Sequence, residues 1–196
     1  MQLGRGPVTL AAFAGAMARA VPLTLAPGVA DRLATDRRTV DAAVAAPQAV
    51  YGLNTGLGAN LAHRLAEADI VTFQRQLIEG RAGATGAPLP EAMGRGLVLA
   101  RIVSASGGGS GLSGAMFDHL CALYRAGLAP VVPEHGSIGA GDLTQNAVAM
   151  LAVLGQGQMW RGGAICDAAE ALEAEGLAVP PLLAKDAMAL INHGGA

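Results

Sequence analysis

Aromatic side chains are scarce in this chain: one Trp, two Tyr and three Phe make up 3% of its 196 residues. That scarcity, beside an abundance of alanine and leucine, argues against a sheet sandwich and for helices. Charge is sparse too, at 14% against 52% hydrophobic residues, which excludes a disordered chain. The formal net charge of −2 provides no basic stripe to neutralise phosphates, so a general nucleic-acid binder is excluded and Arg37-Arg38 reads as a charged face. No uninterrupted apolar run of about eighteen residues occurs. Arg5 and Gly6-Pro7 stand where a signal peptide would carry its apolar run, so a cytoplasmic protein without membrane contact is expected. The two cysteines, Cys121 and Cys166, form no CxxC pair and lie in segments that read as apolar and helical; buried free thiols are expected. His63, His119, His135 and His193 lack ligand spacing, so no metal is expected.

The length suits a single domain with a substantial core. Thr9 caps a predicted helix over 10–20, and Pro27 opens another over 28–45 that Pro47 closes. Tyr51-Gly-Leu-Asn-Thr-Gly-Leu-Gly58 has no steady period and reads as an ordered loop. A helix from about Asp69 ends near Gly80, and Pro90 begins one running to about Ser104. Leu112, Met116, Leu120 and Leu123 recur as an apolar stripe over 111–126, as do Leu143, Ala147, Met150, Leu151 and Leu154 over 142–154. A turn at Arg161-Gly-Gly163, a helix over 167–175 and a final helical run to Ile191 complete the chain. The fold class expected is all-α, a helical bundle with ordered glycine-rich loops.

Three local features carry possible chemistry. Gly107-Gly-Gly109 follows no strand and precedes no Gly-Lys-Ser/Thr, so it reads as tight helix packing rather than a phosphate cradle. Asp142, at a helix start, reads as an N-cap before a general base. Glu134 and His135 are adjacent, and adjacent side chains rarely address one atom; exposure is expected.

The segment Gly136-Ser-Ile-Gly-Ala-Gly-Asp-Leu143 is the most specific. It resembles Gly-Ser-x-Gly-Ala-Ser-Gly-Asp-Leu of the aromatic amino-acid ammonia-lyase and aminomutase family, with the serine between Ala140 and Gly141 missing. Other segments agree in order. Tyr51 through Gly58 is similar to that family's Tyr-Gly-x-Asn-Thr-Gly-Phe-Gly, Phe73-Gln-Arg-Gln-Leu77 to its Leu-Gln-x-Asn-Leu, and Gly109-Ser-Gly111 to its Gly-x-Ser-Gly. Leu154 through Gly157 and Leu190-Ile-Asn192 complete the likeness, which corresponds to the N-terminal part of a longer family member.

The resemblance implies elimination of ammonia from histidine or another aromatic amino acid. In the family the Ala-Ser-Gly closes into an electrophilic methylidene-imidazolone ring: a glycine amide attacks the carbonyl two residues back, and the serine loses water to supply a methylene. Without the serine the electrophile is expected to be absent. Ser137 does not replace it, because the β-branched Ile138 stands where glycine must fold back. No external cofactor is implied. By position Tyr51 is the base that removes a β-proton, or a loop residue pinning two helices; a phenol ionises near about pH 10, so a base there needs a positive field. Ala140 and Gly141 are the remnant of the electrophile, and Asn192 is a site hydrogen-bonder or a helix C-cap. Asn54, Gly58 and Arg81 fall among substrate-binding positions; Arg81 implies an acidic substrate group or is solvated. Thr144-Gln145-Asn146 departs from the family's x-Pro-Leu after Asp-Leu. Two states are therefore open, an impaired lyase and a silent binding or assembly module. Because the family's C-terminal half supplies further helices and site residues, a homo-oligomer or a complementing C-terminal polypeptide is expected, with apolar faces on 111–126 and 142–154 uncovered.

Overall fold

The computed structural model of the chain describes residues 1–56, 64–137, 139 and 143–192. Among these the order is β1 (Gln2–Leu3), α1 (Leu10–Ala18), β2 (Thr24–Leu25), α2 (Val29–Ala45), α3 (Glu67–Glu79), β3 (Thr85–Pro88) and α4 (Glu91–Ser106). Then come α5 (Gly114–Arg125), β4 (Ala129–Pro130), β5 (Pro133–His135), α6 (Thr144–Val153), β6 (Gln158–Arg161), β7 (Ala164–Asp167), α7 (Ala168–Ala174) and α8 (Asp186–Ile191). The chain is mainly helical, and none of its described helices is long and apolar enough to cross a membrane.

Helix starts follow local chemistry. The Thr9 hydroxyl accepts from Ala12 N at 3.2 Å, Ser113 Oγ accepts from Met116 N at 3.3 Å, and Asp167 Oδ1 accepts from Ala169 N at 2.8 Å, each satisfying an amide that has no partner inside the helix. Pro90 occupies the cap of α4, where a missing N–H costs nothing.

The core forms where α4, α5, α6 and α8 meet. Val98, Leu99 and Ile102 of α4 face Met116, Phe117, Leu120 and Leu123 of α5, with Met150 and Val153 of α6 and Leu190 and Ile191 of α8, all fully buried. The faces of α5 and α6 expected to be uncovered are thus covered by this chain's own helices, a correction to the sequence reading. Helix α1, by contrast, is left largely uncovered: of its residues only Ala16 is buried, and Leu10 is 83% exposed. A groove of about 460 Å³ beside it is lined by Phe13, Met17, Met93 and Leu97. Tyr124 ties α5 to this edge, its hydroxyl donating to Ala16 O at 2.8 Å and accepting from Val21 N at 3.1 Å.

The short strands escape a periodicity reading, because two to four residues show no period. β6 and β7 form an antiparallel hairpin, Gln158 opposite Asp167, turning at Gly162 and Gly163, whose positive φ suits the strand twist; β4 pairs with β6, and β3 with β5. Cys166 therefore sits on a strand, half-buried, rather than in a helix.

Other readings also change. Arg37 is not simply part of a charged face: it pairs with Asp41 at 2.7 Å and donates to Ala184 O at 2.8 Å, holding the approach to α8. Gly108 and Gly109 do not pack helices. They take φ of 87° and 83° as the chain leaves α4, a conformation that only glycine adopts readily.

Burial pushes the Cys121 thiol up to about 11, with Asp118 adding to the rise and Arg125 opposing it. A thiol-specific reagent at pH 8 is expected to label half-buried Cys166 in the native chain and Cys121 only after unfolding, since the thiolate is the reactive form. Labelling of both at equal rates in the folded protein would contradict this.

Candidate active site

Asn54 builds the first part of the site. It is buried, and its amide is engaged entirely by main chain: Oδ1 accepts from Val50 N at 2.7 Å, while Nδ2 donates to Gln48 O at 2.9 Å and Ala43 O at 3.2 Å. Leu53 N and Asn54 N close back on Val50 O at 3.1 and 3.3 Å, so the turn at 51–54 is fixed against the end of α2. Thr55, also buried, donates to Val50 O at 3.3 Å and Gly56 O at 3.1 Å. On this rigid turn Tyr51 projects outward, 53% exposed. Gly58 lies outside the described residues.

The second part gathers at the ends of three mutually packed helices, α3, α6 and α8. Gln74 of α3 is fully buried and accepts from Ala187 N of α8 at 3.0 Å. Arg81, just beyond the end of α3, is half-buried and donates to Leu77 O at 3.2 Å; among the described residues no carboxylate pairs with it. Ala84 follows in the same segment and backs Gly136, where an added Cβ would stand 3.1 Å from the Ala84 methyl. Arg81 is thereby three residues from the base of the loop that leads into α6.

In that loop Ser137 Oγ accepts from Gly139 N at 3.2 Å. Ala140, Gly141 and Asp142 lie outside the described residues, and so does the capping expected of Asp142. Leu143 holds the N-cap position of α6 without a side-chain cap hydrogen bond. Glu134 and His135 project from β5, exposed as expected, but contrary to expectation they do meet, Oε1 to Nε2 at 3.1 Å.

Asn192 follows the last turn of α8, its N–H donating to Met188 O at 3.0 Å. It holds the C-cap position of α8, one of the two roles expected for it, with an extended backbone at φ −87° and ψ 124°. Its carbonyl accepts from Arg101 Nη1 of α4 at 3.0 Å. Burial lowers the pKa of Arg101 below the ordinary arginine value.

Several anchors of this site were not singled out by sequence reasoning. Asp186 is fully buried at the start of α8, where it accepts from Ser113 N, Ser113 Oγ and Leu183 N at 2.8, 2.9 and 2.8 Å. Desolvation raises its pKa, against the opposing effect of those donors and of Arg37. Lys185 before it takes φ 79°, the sole positive value at a described non-glycine residue. Gln74 lies in the Phe73-Gln-Arg-Gln-Leu77 likeness without having been given a role, and Asp186, between Lys185 and Ala187, carried no local signal.

The described motif positions thus fall into two groups, a tyrosine turn beside the end of α2 and, where α3, α6 and α8 pack together, Arg81 after α3, Gly136 before α6 and Asn192 after α8. A family model for aromatic amino acid lyases matches residues 8–194. The chain belongs to the aromatic amino acid lyase family. A histidine ammonia-lyase of Sorangium cellulosum (strain So ce56) is 38% identical over 196 residues, covering 98% of this chain and 38% of its own length. One from Rhodospirillum rubrum is 41% identical over 175 residues, 88% of this chain and 34% of the relative. Among solved structures, a Pantoea agglomerans phenylalanine aminomutase superposes with a TM-score of 0.90 at 31% identity, over 98% of this chain and 37% of the other. The ergothioneine-degrading ergothionase of Treponema denticola gives 0.91 at 25% identity, over 98% and 39%. The chain therefore spans a little over a third of the length of these lyase-family relatives.

Proposed function

We propose that the chain carries the N-terminal share of a carbon–nitrogen lyase site for histidine or another aromatic amino acid, and that the methylidene-imidazolone is not formed in it. Tyr51 is the β-proton base, held by the Asn54 turn. Asn54 and Gly58 shape the substrate side, Arg81 meets an acidic group of the substrate, and Asn192 hydrogen-bonds beside Ala140-Gly141. The rest of the pocket comes from polypeptide outside these 196 residues, or from a second copy. The carrying observation is the family match along nearly the whole chain with no serine between Ala140 and Gly141. The residues present do not fit the ring: no side chain there can become its methylene, and Ser137 is turned to the Gly139 amide.

Without that electrophile a primary amine is a poor leaving group. A base beside it removes N–H protons before the far less acidic β-C–H, and the resulting neutral amine would have to depart as an amide anion. A fully alkylated nitrogen has no N–H and departs as a neutral amine. This favours a second reading, elimination from an amino-acid betaine. It is supported by the likeness to an enzyme named for degrading ergothioneine, itself a trimethylammonium betaine.

The expected results are an intact mass equal to that of the sequence and no ammonia from histidine, phenylalanine or tyrosine. Any trimethylamine released from histidine betaine should be insensitive to borohydride and fall about 10²- to 10⁴-fold in Tyr51→Phe, the usual range for loss of a general base. Ammonia release abolished by borohydride would show that the ring forms by another route and overturn the proposal. No product from either class, with the expected mass, would leave the silent binding or assembly module.

A further inference from the structure

Helix α6 begins without a capping side chain, yet its first three residues are all polar. None of the three turns back to its own helix. Thr144 Oγ1 donates to Gly136 O; Gln145 Nε2 donates to Pro133 O at 2.9 Å and to Glu134 O at 3.1 Å; Asn146 Nδ2 donates to Ile191 O at 3.2 Å. Successive helical residues point about 100° apart, so three neighbours can hold different elements. Here the first two reach the strand that enters the 137–143 loop, and the third reaches the end of α8.

The fit is close. A Cβ at Gly136 would stand 2.6 Å from Thr144 Oγ1 and 2.7 Å from Gln145 Cγ, so only glycine lets the two ends of the loop approach this far. Asn146 is buried, which excludes a merely solubilising role. The acceptor it uses, Ile191 O, immediately precedes Asn192, whose own carbonyl is held by Arg101.

We propose that Thr144, Gln145 and Asn146 are positioning residues: a non-covalent clamp that closes the two ends of the 137–143 loop on each other and locks that base to the helix end carrying Asn192. The inference rests on the reading that no ring stiffens the loop covalently. Tying the loop ends removes conformational freedom before a substrate arrives, so less ordering remains to be done on binding.

Amide exchange followed by NMR on the whole chain tests this, with Thr144→Val, Gln145→Met and Asn146→Leu each keeping shape and losing the donor. Thr144→Val and Gln145→Met are expected to speed exchange at Gly136, Ser137 and Gly139 about two- to tenfold while the amides of α5 keep their rates. Thr144→Ser, which retains the hydroxyl, should restore the parent rates. Asn146→Leu should shift the backbone and side-chain amide resonances of Asn192 and leave Gly136 in place. Unchanged loop exchange, or an equal rise in α5 in the half-buried Thr144→Val variant, would overturn the clamp. An intact mass short of the sequence by water would instead overturn the ring-free reading, and the exchange rates would still decide the clamp.

Discussion

Asp186→Ala is expected to destabilise the chain by about 3 kcal/mol or more, because it strands two buried N–H groups and a hydroxyl, each unsatisfied donor costing on the order of 1–3 kcal/mol. The groups concerned are Ser113 N, Leu183 N and Ser113 Oγ, which converge on one carboxylate that is 0% exposed. The loss spreads beyond α8, since Ser113 also caps α5. Asp186→Asn keeps one acceptor and should lose less. The carboxyl also gives stability a pH dependence whose sign follows from its raised pKa, caused first by desolvation. The folded state holds this proton more tightly than the unfolded one. Its contribution is therefore complete below the ordinary carboxylate range and is lost as pH rises through the raised value. Chemical denaturation of the parent and Asp186→Asn across acid and neutral pH measures it: the parent's relative stability should fall toward neutrality. Parallel profiles would show that the carboxyl titrates normally and that desolvation does not govern it.

Gly94→Ala should be the other severe substitution, although alanine is the better helix former by about 1 kcal/mol. An added Cβ would lie 2.1 Å from Pro130 O and 3.2 Å from Pro130 C, both backbone atoms of β4. Relief requires moving α4 away from β4, and β4 is itself hydrogen-bonded to β6 through the Pro130–Met159 pair. Overpacking of this kind costs about 1–3 kcal/mol and more where backbone must shift. A net loss of about 3 kcal/mol corresponds to a fall in Tm of roughly 6–12 °C for a chain of this size. Gly96→Ala is the control, because its Cβ would meet the Met17 thioether at 2.7 Å, and that flexible side chain can swing aside. Equal melting temperatures for the two variants would mean that the α4–β4 approach is not tight.

The expectations that held share a physical basis. Thr9, Pro90 and Gly80 mark helix ends because capping and φ restriction act within a turn of the residue itself. The stripe from Leu112 to Leu123 identified a buried face because helical period is a property of neighbours. What covers that face is not local. Uncovered helices at 111–126 and 142–154 were expected because family members bring further helices, whereas α4 and α2 of this chain pack against α5, and α3 and α8 against α6. Strand β4 was missed for the opposite reason, since it exists only because Ala129-Pro130 pairs with the distant Met159-Trp160.

The ordered motifs at 51–58, 73–77, 109–111, 136–143 and 190–192 by themselves determined the family, and the sequence by itself shows Gly141 directly after Ala140. Both are covalent facts, legible without a fold. The tertiary structure alone decided what holds those motifs: Ser113 to Asp186, Asn146 to Ile191 and Arg101 to Asn192 span 73, 45 and 91 residues. A hydrogen bond between distant residues leaves no period or spacing in the sequence, because its partner is chosen by the packing of helices and not by the chain between them.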